Sequence, residues 1–318
     1  MDTPPRRWPG LLAARLPFYF GVPASLLAFP SVLPWVALFW IAADALLAFR
    51  GKPSWLPLVV AAAILLVKGF PWQFDLLLLP VALLIVAAIR LRPPPREARR
   101  GMLAYPTAAL LASWVVFAVS WHGQARRSQP LALAGDRPVV VIGDSLSVHG
   151  WPRELAKQVS VPVVDLSEGG INTVEGLAKL PEALALKPQL VVIELGGHDY
   201  LEGRGRAATR ENLERIIREV RGADAEVLLF EIPRGFVYDP FRSLERELGR
   251  EHDLELVTDG AIRQLVLFSP FTPLASLTGR KLSDDGLHPN AAGRRFLAGR
   301  VKKSLVRLYG PAILAGGR

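Results

Sequence analysis

No cysteine occurs among the 318 residues. Disulfides, thiolate metal sites and cysteine nucleophiles are therefore excluded. The absence names no compartment, because an exported domain of ordinary size folds without disulfides. Only five histidines are present. The histidine near residue 198 has no second histidine at ligand spacing on its own element, so a metal is not expected there. No internal repeat of the kind that marks transporters is evident. Acidic residues are scarce in the first 121 positions, four Asp or Glu against eleven Lys or Arg, whereas the rest of the chain holds 25 acidic and 27 basic residues. The basic excess sits in the apolar half. It points to loop charges that orient membrane helices and not to nucleic acid as a partner.

The length suggests about two domains. A membrane span needs roughly 20 mostly apolar residues. Segments 32–49, 53–70, 74–91 and 102–121 qualify, and 11–29 is weaker because it holds Arg15, Pro17 and Pro23. A transmembrane bundle of four or five helices is expected over residues 1–121. With five spans and a cytoplasmic N-terminus, the inner loops carry Arg6, Arg7, Arg50, Lys52, Arg90, Arg92, Arg96, Arg99 and Arg100. The outer loops carry only Lys68. That bias places everything after Trp121 outside the cytoplasm, on the face of a multi-pass inner-membrane protein. With four spans, residues 11–29 lie along the interface and the last span keeps its direction. A cleavable signal peptide is not expected, because prolines break the first apolar stretch and no clear small-residue cleavage site follows. Asp44 lies deep in a candidate span, where it is either functional or packed against a polar partner. Asp75 sits at a span edge.

Residues 122–137 read as a linker. Beyond it, strand patterns at 138–142, 162–165, 189–195, 225–231 and 254–257 alternate with helical patterns near 150–159, 173–186, 207–221, 240–251, 260–267 and 290–307. Alternation with continuously apolar strands implies a parallel sheet covered on both faces. Ligands of such sheets bind beyond the carboxyl ends of the strands.

Polar clusters gather at that edge. Gly143-Asp144-Ser145-Leu146 follows the first strand, Gly169-Gly170 the second, and Gly196-Gly197-His198-Asp199 the third. Asp285-Gly286-Leu287-His288-Pro289 precedes the last helix. A serine hydroxyl becomes a nucleophile when a base takes its proton. At a strand-to-helix turn, the Ser145 N–H can also face developing negative charge. Alone, the same residues read equally as an N-cap turn, with Asp144 or Ser145 capping. Asp285, three residues before His288, can hold one imidazole nitrogen and leave the other for Ser145. The plain alternative is a surface turn ahead of a helix, which Pro289 suits. Gly170 offers an unobstructed N–H, and His198 a side-chain donor. His149 is a rival base four residues after Ser145, with no acid nearby in sequence, or else a pocket-wall residue beside Asp144. Asp284 is expected to face solvent, and His122 and His252 to lie at the surface or an interface. The apolar stretch Leu265 to Leu277, with Phe268 and Phe271, lines an acyl pocket or packs under the sheet. The helix near Arg210–Arg221 reads as a solvated face.

In this order, the four clusters resemble the GDSL esterase family, also called SGNH hydrolases, over about residues 138–307. The similarity is greatest to the bacterial thioesterase and lysophospholipase branch, through Asn172-Thr173-Val174-Glu175-Gly176-Leu177-Ala178-Lys179-Leu180 and Val192-Ile193-Glu194-Leu195-Gly196-Gly197. The resemblance implies a three-layer α/β/α, flavodoxin-like domain over 138–318. It implies Ser145 as nucleophile, His288 as base and Asp285 as orienting acid. Gly170 and the Ser145 backbone would form an oxyanion hole, and no cofactor is implied. The third block of the family usually reads Gly-x-Asn-Asp, and here His198 takes the Asn position.

The function expected is a membrane-anchored serine esterase acting on acyl esters of a lipid or a cell-envelope glycan. An acyltransferase to a glycan hydroxyl differs only in the acceptor. Two other classes remain open: a non-catalytic binding module for acylated glycans, and a membrane half that carries an acyl donor. Oligomeric state is not legible in the sequence.

Overall fold

The computed structural model describes residues 21–49, 54–68, 78–91, 99–235 and 237–315. The chain divides into two compact units, one of Met1–Trp121 with Phe236–Tyr238, the other of His122–Gly235 with Asp239–Arg318.

In the first unit, residues 21–27 are helical. They are followed by α1 (Leu33–Phe49), α2 (Leu56–Lys68), α3 (Leu78–Leu91) and α4 (Arg99–Gly123). The helices α1, α2 and α3 have 17, 13 and 14 residues, short of the roughly 20 that a bilayer core requires. The 25 residues of α4 include Arg99, Arg100, Pro106 and His122, which dilute its apolar character. Among the described residues, no helix is long and apolar enough to cross a membrane. The expected bundle of four or five spans is corrected accordingly. The first ten residues of the weaker candidate span, and Asp75, lie outside the described residues. Asp44 has the polar partner foreseen as one of its two readings: its buried Oδ1 accepts from Arg90 Nη2 at 2.6 Å, and Arg90 Nη1 donates to Ser54 O. Trp40, Trp114 and Trp121 are buried with Leu33, Ile41 and Leu110.

The second unit runs β1 (Val139–Gly143), α5 (Ser145–Val148), α6 (Trp151–Ala156), β2 (Val163–Asp165), α7 (Thr173–Ala178), α8 (Leu180–Ala185), β3 (Leu190–Glu194), α9 (Gly197–Leu201), α10 (Arg206–Gly222), β4 (Glu226–Phe230), α11 (Leu244–Glu251), β5 (Glu255–Val257), α12 (Gly260–Leu267), α13 (Pro273–Thr278) and α14 (Ala291–Tyr309). All strand pairs are parallel, in the order β2-β1-β3-β4-β5. This is the flavodoxin-like winding, with its switch point between β1 and β3. Alternate residues of each strand feed opposite faces. Val139, Val141, Leu190, Val192 and Leu228 pack with Leu297, Val301 and Leu305 of α14. Val140, Ile142, Val191, Ile193 and Leu229 pack with Leu213, Ile216, Ile217 and Val220 of α10. Those four α10 positions recur at helical spacing, and the opposite face pairs Arg215 with Glu219 and Arg210 with Glu214.

Three local readings change. The helix expected over 173–186 is two helices, and Pro181, near the start of α8, supplies no N–H to continue the first. The helix expected from 240 begins at Leu244, because Arg242 and Ser243 hold left-handed φ values of 40° and 56°. The segment after α4 is laid on the sheet and is not a free linker. Leu256 N donates to Ala125 O, Leu131 N to Leu308 O, and Ser128 pairs with Asp253.

Candidate active site

Ser145 is the first residue of α5, directly after the C-terminal end of β1. Asp144 is the N-cap, and its Oδ1 accepts from Leu146 N at 2.9 Å. Asp144 is buried and holds the nucleophile turn as its cap, one of the two residues the sequence offered for that place. Ser145 itself is partly exposed. Its N–H, at the first helical position, has no intrahelical acceptor by geometry, and none is found elsewhere among the described residues.

The loop between α13 and α14 brings the acid and base. His288 Nε2 lies 3.0 Å from Ser145 Oγ, and His288 Nδ1 lies 2.7 Å from Asp285 Oδ2. The other Asp285 oxygen accepts from Leu287 N, His288 N and Ser283 Oγ at 2.9, 2.8 and 3.0 Å. The His288 imidazole and then these donors hold the Asp285 carboxyl well below the usual carboxylate range, although the side chain is exposed. An ionised Asp285 fixes the proton of His288 on Nδ1 and leaves Nε2 to accept from the serine hydroxyl. Ser283 also accepts from Gly286 N and bridges to Pro289, closing the turn.

Two further groups stand in turns at the same edge of the sheet. Gly170 has φ +84°, a left-handed conformation that suits glycine, and a Cβ there would lie 3.9 Å from His198 Cε1. Its N–H has no acceptor among the described residues. Gly170 and His198 thus face one another across the polar edge. Asp199, fully buried, ties these turns together by accepting from Thr173 N at 2.8 Å, Thr173 Oγ1 at 2.5 Å and Thr209 Oγ1 at 3.3 Å. His149 is exposed, with its ring centroid 4.6 Å from that of His288. Burial, and then the charge of His288, push its pKa down. It flanks the base, and no acid orients it toward Ser145. Phe271 is exposed and stands against Gly286 of the turn, where a Cβ would meet its ring at 2.9 Å. Phe268 instead packs partly under the sheet.

Sequence reasoning assigned no role to Glu194. It ends β3, is 1% exposed, and stands opposite Gly143 in the β1–β3 register. Its Oε2 accepts from Ser147 Oγ at 3.0 Å and from Asp144 N at 3.3 Å, while Trp151 Nε1 donates to Ser147 Oγ at 3.0 Å. Burial, and then the Asp144 charge, raise the Glu194 pKa well above its ordinary 4.5. Two carboxylates in one buried site do not both ionise. Oε1 has no hydrogen-bond partner among the described residues. The one signal in the sequence was a charged residue within an otherwise apolar strand. The potential metal donors among the described residues, Glu214, Glu251 and His252, lie on α10 and at the end of α11, away from this edge, and Arg210 pairs with both carboxylates.

A serine, an imidazole and a carboxylate in hydrogen-bonded line, at the switch point of a parallel sheet, define a serine hydrolase site. The sequence profile of the GDSL-like lipase/acylhydrolase family matches residues 131–296. The chain is 31% identical over 182 residues to thioesterase 1/protease 1/lysophospholipase L1 of Escherichia coli (strain K12), covering 82% of that protein and 52% of this chain. It is 38% identical over 120 residues to esterase TesA of Pseudomonas aeruginosa, covering 60% of that protein and 34% of this chain. A crystal structure of TesA, 30% identical, covers 54% of this chain and 99% of its own, with a TM-score of 0.43. The chain belongs to the GDSL-like lipase/acylhydrolase family, and it is a serine esterase of that family.

The raised pKa of Glu194 has a measurable consequence. A carboxyl whose folded pKa is raised favours folding fully below its unfolded value. That contribution is lost as pH rises toward the folded pKa. Glu194→Gln keeps the acceptor for Ser147 and Asp144 N and removes the titration. In urea unfolding, the variant is expected to gain on wild type between pH 5 and pH 8. Glu194→Ala, which orphans the buried Ser147 hydroxyl, is expected to lose about 1–3 kcal/mol at both. Parallel pH profiles for wild type and Glu194→Gln would refute a proton held at this position.

Proposed function

We propose that Ser145 attacks the carbonyl of an acyl ester or thioester with an apolar acyl chain, and that the resulting acyl-enzyme is hydrolysed by water. The observation that carries this reading is the 3.0 Å approach of His288 Nε2 to Ser145 Oγ, with Nδ1 on Asp285. His288 takes the hydroxyl proton as the bond to the carbonyl carbon forms. It returns that proton to the leaving group as the tetrahedral intermediate collapses. Water then repeats the sequence, with His288 as base, and frees Ser145. The Ser145 and Gly170 N–H groups, with His198, stabilise the oxyanion. His198 replaces an amide donor with an imidazole donor, so the hole keeps its third hydrogen bond.

Support for an apolar acyl group comes from the side chains near the turn. Phe271, Leu274, Leu277 and Leu287 are all exposed, and Phe271 and Leu287 adjoin Gly286 and His288. The Escherichia coli relative is named as a thioesterase and lysophospholipase, which agrees with acyl chains of lipid origin. The apolar first unit favours work at a lipid surface, since Leu66, Leu84 and Val116 are each about 70% exposed.

Ser145→Ala and His288→Ala are each expected to lower kcat/KM on a nitrophenyl ester by at least about a thousandfold, whereas His198→Asn stays within about tenfold of wild type. Phe271→Ala is expected to raise KM for long acyl chains more than for acetate. Near-wild-type turnover by Ser145→Ala would end this mechanism.

A further inference from the structure

At the other side of the sheet lies a second cavity, of about 180 Å³, next to the C-terminal end of β5. The strands β3 and β4 separate it from the strand that carries Ser145. None of the residues around Ser145 lines it. Its walls include Arg126, Thr258, Arg300, Lys303 and Arg307. Arg300, Lys303 and Arg307 are spaced by three and four residues on α14, so their side chains share one face. Arg126 comes to the same cavity from the segment after α4, and Thr258 from the end of β5.

The charges here are not balanced. Glu255 pairs with Arg307, which also donates to Ser304 Oγ at 2.8 Å. No described carboxylate forms an ion pair with Arg126, Arg300 or Lys303. Arg300 is held rather than free to swing into water. Its guanidinium lies 5.0 Å from the Phe296 ring centroid, and Arg280 lies 5.0 Å from the same ring. Burial, and then the neighbouring charges of Arg280 and Arg307, push the Arg300 pKa down. A half-buried guanidinium beside other unpaired cations costs free energy unless an anion shares the site.

We propose that this cleft binds a phosphate-bearing anion. Several cationic donors converge from separate elements, with a hydroxyl among them. That arrangement suits a tetrahedral group with multiple acceptor oxygens better than a single carboxylate. A cavity of this size takes one phosphoryl group, whereas a nucleic-acid strand would need an extended groove. The same chemistry is offered by free phosphate and by the headgroup of an anionic phospholipid.

The test uses the purified full-length chain and a double variant, Arg126→Gln/Lys303→Gln, both at exposed positions. Arg300→Gln, at a half-buried position, is the second variant. Hydrolysis of a reporter ester by all three proteins is expected to match, which shows that the fold and the Ser145 site are intact. Thermal unfolding is followed in inorganic phosphate against chloride of equal ionic strength. Flotation is measured with vesicles of phosphatidylcholine, alone or mixed with phosphatidylglycerol. If free phosphate is the ligand, it raises the Tm of the wild type, and the double variant binds at least about tenfold more weakly. If the source is lipid, phosphate has little effect, and phosphatidylglycerol increases flotation of the wild type but not of either variant. A wild type that responds to neither probe, or variants that respond as the wild type does, would overturn the proposal.

Discussion

The last rung of the β1–β3 ladder, where Gly143 faces Glu194, sets the level of the nucleophile turn and of the His198 turn at the catalytic edge. The chain leaves β1 into Asp144 and Ser145, and leaves β3 into Gly196, Gly197 and His198. Because the strands are parallel and in register, both turns open at the same level. The space between them is filled without slack. A Cβ on Gly143 would stand 2.3 Å from Ser147 Oγ and 3.0 Å from Glu194 Oε2. The glycine that precedes the nucleophile is therefore required by the side chains it would strike. Behind the serine, Glu194 binds the backbone of Asp144 and the hydroxyl of Ser147, and Trp151 completes the chain of hydrogen bonds. The nucleophile turn is fixed from its buried side.

The acid and base arrive by a different route. Asp285 and His288 belong to one short turn, stitched by Ser283 and by two backbone N–H groups. This turn is largely exposed, so its order comes from local hydrogen bonds, whereas that of the serine comes from the core. The contrast suits an enzyme that must admit an ester and later water. A rigid nucleophile sits against the sheet, and the base reaches it from a solvent-facing loop.

Much of this was legible in the sequence, for identifiable reasons. Strands such as Val139–Ile142 and Leu190–Ile193 are continuously apolar because both faces of the sheet are covered. Asp285 and His288 are close in sequence, so their pairing needs no tertiary information. The proximity of Ser145 to His288 does need it, and it was reached only through the resemblance of all four clusters taken together. Glu194 and Asp199 were passed over, since a buried carboxyl becomes intelligible only when its partners from other segments are seen. Asp144 was legible as a capping residue, and it is the buried cap of α5. The apolar first unit was read from composition alone. Composition does not register where helices stop, and those described are shorter or more polar than a bilayer requires.

The central claim is that Ser145 is activated by His288 in the folded chain. The most direct measurement is labelling with a fluorophosphonate, followed by peptide mass mapping. Stoichiometric adduct on the peptide containing Ser145, with labelling strongly slowed in His288→Ala, is the expected result. An adduct on another residue, or labelling of Ser145 at equal rate without His288, would contradict it.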